Sequence, residues 1–212
     1  MKSAPAHRGT NGDMAKFAVR FLKGRVDGFE KDMKICLTPI KSKNRSNNTH
    51  AYFPALAACC GILEYLTALH RGNIRGGGWR QVADWAQIFL PQPDYNEDTI
   101  RILVGAFRHP VAHRGIASGV WVDQNHGLGR GRRLTWKVLA DAKRPACEIV
   151  EEQGQLRRDP PWSCTYTHRV HIHLRGMWVD IREAANLYSN MLGTHEQLVG
   201  NFEACMRQLY PI

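Results

Sequence analysis

The sequence predicts a mainly α fold: a bundle of four to five helices with a small antiparallel β-sheet inserted. Three observations predict it. Apolar residues recur at helical spacing through the first half of the chain and again near its end. Between about 116 and 175 the period changes to strand-like alternation. With 212 residues there is enough chain for one proper core. The expected organisation is therefore a loose tail at 1–13 and a single helical domain at 14–212, with the β insertion at about 116–175.

The elements follow in order. The first helix is expected from about Met14 to Leu37, on the apolar points Phe17, Ala18, Phe21, Leu22, Phe29 and Met33, with Gly24 and Gly28 weakening its middle. Pro39 ends it, and 41–48 is a polar basic loop. A second helix is opened by Pro54 in its first turn and carries Leu56, Cys59, Cys60, Ile62, Leu63, Leu66 and Leu69. It is apolar nearly all round and so belongs at the centre, with Glu64 as the one exception. A shorter helix runs from Trp79 to Leu90, and Asp98 is expected to cap a fourth whose apolar face is Ile100, Leu103, Val104 and Phe107. Pro110 kinks or ends that helix.

Ile116 to Val122, Leu134 to Val138 and Thr165 to Arg175 read as strands. In the last, Val170, Ile172 and Leu174 face one way and Arg169, His171, His173 and Arg175 the other. The polar stretch 141–164 receives no assignment. Asp180 with Glu183 resembles a capping box opening one long final helix, whose stripe is Ile181, Ala185, Tyr188, Leu192, Val199, Phe202, Met206 and Leu209. Gly193 is a kink point, and His195 interrupts the stripe. A stripe this long suits packing against other long helices or a second subunit, so a homodimer is expected.

Composition narrows the function classes. No run approaches the roughly 20 apolar residues that cross a bilayer, and the polar N-terminus lacks the core of a secretory signal. Of six cysteines, Cys59 and Cys60 are adjacent and none forms a Cys-x-x-Cys pair, so neither a disulfide framework nor a zinc site is expected. The expected state is reduced and cytoplasmic, without membrane or cofactor. The formal net charge is +10, and the first 47 residues carry 11 Lys and Arg against 4 Asp and Glu. A second excess includes Arg130, Arg132, Arg133, Lys143 and Arg144. Such a field attracts polyanions, RNA among them.

The densest chemistry lies in Arg108-His109-Pro110-Val111-Ala112-His113. The planar fork of arginine pairs with phosphate oxygens, and histidine exchanges a proton near neutral pH. Brought together, the two would grip a phosphodiester and move the proton of its attacking hydroxyl. The plain structural alternative is a helix-end arginine capping carbonyls and a histidine satisfied by the backbone. Spacing alone favours that alternative.

The helix Tyr52–His70 with Ile62-Leu63-Glu64-Tyr65-Leu66, the Arg108–His113 motif after Phe107, and a long C-terminal helix containing Asn201-Phe202 together resemble the HEPN superfamily of prokaryotic helical domains. The resemblance covers roughly 50–115 and 177–210, and the strand region stands outside it. It implies an R-x4-6-H endoribonuclease of toxin–antitoxin or phage-defence type. In it Arg108 and His113 are the catalytic pair, His109 is the auxiliary polar position, and no metal takes part. It also implies a dimer in which two motifs share a cleft, and an antitoxin protein as partner. Gly115 stands where one toxin branch carries a modified tyrosine, so regulation through that tyrosine is not expected. The alternative of the same fold is a non-catalytic module binding RNA, a nucleotide or a partner protein.

Around this pair, Glu64 is expected to ion-pair with an arginine such as Arg108 and orient it. Arg130, Arg132 and Arg133 form a turn that is solvated or contacts RNA phosphates without sequence specificity. His171 and His173 share a strand face at a spacing two imidazoles on one metal would use, but no third ligand is evident. A solvated basic face is therefore the expectation, with His168 on the opposite side. The six tryptophans are expected in the core, and His195 as a satisfied core histidine.

Overall fold

The computed structural model describes residues 11–39, 51–74, 78–109, 119–124, 131–156 and 163–211. The fold is mainly α with a small four-stranded mixed sheet. Helix α1 spans Asn11–Cys36, α2 Tyr52–Arg71, α3 Trp79–Phe89 and α4 Glu97–Arg101, which runs on as a π-helical segment, Ile102–Arg108. Strands β1 Trp121–Asp123, β2 Arg132–Leu139, β3 Cys147–Leu156 and β4 Cys164–His173 follow, and α5 Leu174–Leu192 and α6 Glu196–Leu209 close the order. The tail at 1–10, the loop at 40–50 and the segment 110–118 lie outside the described residues.

The all-round apolar helix takes the centre, as its composition requires. α2 packs on α1, α3, the π segment, α5 and α6. Its Leu56, Cys59, Cys60, Leu63, Leu66 and Leu69 are fully buried. By length and composition α2 would also pass for a membrane span, contrary to the expectation that no run approaches one. Here half of that span is buried against the rest of the same chain. α1 continues through Gly24 and Gly28, since neither backbone position is contacted closely by the rest of the protein and Leu22, Val26 and Met33 anchor its buried face.

Several expected boundaries move, each for a physical reason. The cap of α4 is Asn96, whose Oδ1 accepts from Thr99 N at 2.9 Å, while Asp98 turns to Arg101 and Arg132. The final helix is two helices, interrupted at Gly193–His195, where the amides of Thr194 and His195 both return to Met191 O. α5 begins six residues before the expected start. Asp180 is therefore no cap: it is buried inside the helix, accepting from Tyr95 Oη at 2.8 Å and pairing with Arg144. His195 is exposed at the head of α6 and not in the core, its Nδ1 3.1 Å from Met191 O. Of the stripe, Ile181, Ala185, Tyr188, Leu192, Val199 and Phe202 are buried within the chain against α1 and α2, whereas Met206 is half-buried and Leu209 exposed.

The sheet is mixed rather than antiparallel, in the order β1-β2-β4-β3 with β2 and β4 parallel. The unassigned stretch contains β3, which pairs antiparallel with β4 through a bulge between Glu151 and Gly154. A Cβ at Gly154 would run into the Tyr166 ring and its Oη, so any larger residue there would have to displace that side chain. Leu134, Val170 and Ile172 form the buried face, and Trp136 meets Phe107 edge-on at 5.4 Å, which fastens the sheet to the π segment.

The C-terminus of α2 is closed by left-handed Gly72 (φ 72°) and latched to α6, with Asn201 Nδ2 donating to His70 O at 2.7 Å and Gln208 Nε2 to Gly72 O at 2.8 Å. The His70 ring sits edge-on to Phe89 and Tyr188 at 5.6 and 5.7 Å. Burial among them holds its pKa below the usual 6.5. The folded state thus favours the neutral ring, so its contribution is present above pH 6.5 and is lost as pH falls through the depressed value. We expect the stability difference between wild type and His70→Gln to shrink on acidification from about pH 7.5 to about 5.5, other groups cancelling in the comparison. Urea unfolding at both pH values checks this; a pH-independent difference would remove it.

Candidate functional site

The site grows from the one carboxylate on α2. Glu64 cannot be carried on an apolar helix without a partner, and it finds Arg108 at the end of the π segment, Nη2 to Oε2 at 2.6 Å. The side chains keep 33% (Arg108) and 22% (Glu64) of their surface exposed, so the pair stands at the rim of the core rather than inside it. Burial raises the pKa of Glu64, and the charge and hydrogen bond of Arg108 oppose that rise without cancelling it. One turn earlier, the buried Cys60 thiol lies 4.0 Å from Leu103 O and is pushed up to about 12 by burial and by Glu64, against the pull of Arg108. It is a protonated, unreactive wall of the site.

The π segment explains how Arg108 comes to face outward. The N–H of His109 bonds to Val104 O, a five-residue step that widens the last turn. Such insertions recur at functional sites. Ile102, Leu103, Val104, Ala106 and Phe107 are buried by it, whereas Arg108 emerges half-exposed and His109 exposed. Beside them Phe53, which sequence reasoning missed, stacks on Phe107 at 5.8 Å and an interplanar angle of 6°, with 52% of its surface open. An aromatic in the first turn of an otherwise core helix was the available signal. His113 and Arg130 lie outside the described residues.

The basic turn is not what its sequence suggests. Arg132 and Arg101 share Asp123 and Asp98: Arg132 Nη2 is 2.7 Å from Asp123 and 3.0 Å from Asp98, and Arg101 holds Asp123 through two bonds at 2.9 and 2.7 Å. Arg132 is thereby committed to the fold. Arg133 is half-buried, its Nε enclosed without a hydrogen-bond partner. The His171–His173 face is not simply solvated either. His171 lies 3.4 Å from Glu148 and 3.8 Å from Glu152, and buried His173 pairs with Asp141. Each imidazole has its own carboxylate, and no group of three metal-ligating side chains occurs among the described residues.

Compared with known proteins, the chain matches no family model, no curated protein and no solved structure.

Proposed function

We propose that this chain is a metal-independent endoribonuclease of toxin–antitoxin or phage-defence type, built on a HEPN-like helical bundle. The observation that carries the reading is the Glu64–Arg108 pair. A guanidinium has five N–H donors, and one carboxylate engages only part of them. Glu64 holds Arg108 in place and leaves donors for a phosphate.

In the proposed reaction the RNA 2′-hydroxyl attacks the adjacent phosphorus. His113 takes the hydroxyl proton, Arg108 stabilises the charge of the phosphorane, and His109 orients the phosphate. The 5′-oxygen leaves as a hydroxyl by taking a proton from water, the proton held by His113 neutralising the hydroxide so formed, and the other product ends in a 2′,3′-cyclic phosphate. The open face of Phe53 offers a neighbouring base a stacking surface. Affinity for the backbone would come from Arg130, Arg133 and the basic N-terminal region, with Arg132 left out because its fork is occupied. A homodimer joining two motifs, a cytoplasmic setting and an antitoxin partner belong to the proposal through the HEPN resemblance alone.

The second reading is a non-catalytic HEPN-like module that binds RNA, a nucleotide or a partner protein. It has one observation of its own: the charge of Arg108 is already matched by Glu64, as a structural helix-end arginine would be. Incubation of the purified chain with structured and unstructured RNAs in EDTA separates the two. Cleavage to cyclic-phosphate ends supports the nuclease, and binding without cleavage supports the module.

A further inference from the structure

On a different part of the molecule, a cleft of about 350 Å³ opens between the C-terminal end of α1 and the first half of α5. Met33, Leu37 and Trp178, all buried, give it an apolar floor, and Lys34, Arg175 and Arg182 stand around it. The Nε1 of Trp178 is enclosed without a partner, so the indole brings the cleft no hydrogen bond. Arg175 is fixed by donating to Leu37 O at 3.3 Å, which ties the last turn of α1 to α5. Among the described residues Glu30 is the one acid in the lining. It is bound to Lys34 at 3.0 Å and only loosely to Arg182 at 3.7 Å. Three cations against one carboxylate leave the cleft an excess of two positive charges.

Packing alone does not ask for this arrangement, because an apolar floor is covered at least cost by apolar side chains. We propose that the cleft binds a small phosphorylated molecule with a flat apolar ring, of the nucleoside monophosphate class. The ring would rest on Met33, Leu37 and Trp178. The phosphate would be taken by Arg175 and Arg182, whose planar forks suit its oxygens. Arg182 can turn to it at little cost, since its present partner is at the limit of ion pairing. The volume lies at the low end of small-molecule sites, roughly 300–1,000 Å³, which favours one nucleotide over a polymer. The inference does not rest on Arg108 or on RNA cleavage.

Calorimetric titration of the full chain with AMP tests it, with adenosine and inorganic phosphate as separate arms. AMP is expected to bind at least about tenfold more tightly than either fragment, because both halves of the cleft are used. Arg182→Ala should weaken AMP by about tenfold or more, the loss of a charge-assisted hydrogen bond. Val179→Trp, which fills the cleft from a half-buried position on α5, should abolish binding while the unfolding midpoint stays put. If Arg175→Ala unfolds the chain through its lost bond to Leu37, Arg182→Ala and Val179→Trp still decide the matter. Absence of AMP binding at millimolar concentration, phosphate binding as well as AMP, or indifference to both variants would each overturn the proposal.

Discussion

Asp123→Ala is expected to destabilise the protein by about 3–5 kcal/mol, the cost of leaving buried charge without its partner. Asp123 has no exposed surface, and it is held by Arg101 and Arg132, whose side chains are only 13% and 11% exposed. Removing it takes from the two guanidiniums the buried carboxylate they share and leaves them Asp98, which both also contact. The effect is a large fraction of a total stability of about 5–15 kcal/mol. It would fall on the joint between α4 and the sheet, because Arg101 belongs to α4, Asp123 to β1 and Arg132 to β2. Asp98→Ala should cost clearly less, since Asp98 is 28% exposed and water can replace it. Urea midpoints of the two variants measure the contrast. Equal and small shifts would mean that the cluster is a solvated surface network after all.

That cluster also marks where sequence reading reaches its limit. α2 was legible because a helix apolar on every side has one place to go, and Glu64 was legible because a lone carboxylate on such a helix must find a cation. Arg132 was not. In sequence it is one arginine in a basic turn, and only the return of β1 beside β2 brings Asp123 to it. β3 was illegible for the same reason: Glu148 and Glu152 break its alternation, and their partners His171 and Arg169 lie some twenty residues away on β4. The start of α5 was hidden because Leu174 continues the alternating run of β4 while already taking helical geometry. Asp180 looked like a cap because short-range patterns cannot display Tyr95, which approaches from 85 residues earlier. Local signals located most of the helices; charged residues were legible where an apolar surround demanded a partner, as at Glu64, and misread where the pattern also allowed a solvated face, as at Arg132.

The largest functional effect is expected at His113. If it moves the proton of the 2′-hydroxyl, His113→Ala should lower RNA cleavage by about a hundredfold to ten-thousandfold, the usual range for a general acid–base group. Folding and RNA affinity should change little, since one imidazole adds little to phosphate binding. Arg108→Ala should lose rate and affinity together, because its guanidinium would meet the phosphate in both the ground state and the transition state. Glu64→Gln separates orientation from charge: it keeps a hydrogen-bond acceptor within reach of Arg108 but no longer neutralises it. That variant should therefore retain RNA binding while losing part of the rate. The wild-type pH–rate profile should bend at about 6–7, the histidine range. Added EDTA should leave the rate unchanged. Circular dichroism on each variant keeps the comparison honest. If His113→Ala cleaves as fast as the wild type, the proton is moved by another group and the proposed role of the motif is lost. If wild type leaves every RNA intact while still binding it, Arg108 is a structural arginine held by Glu64, and the non-catalytic module is the better account of this fold.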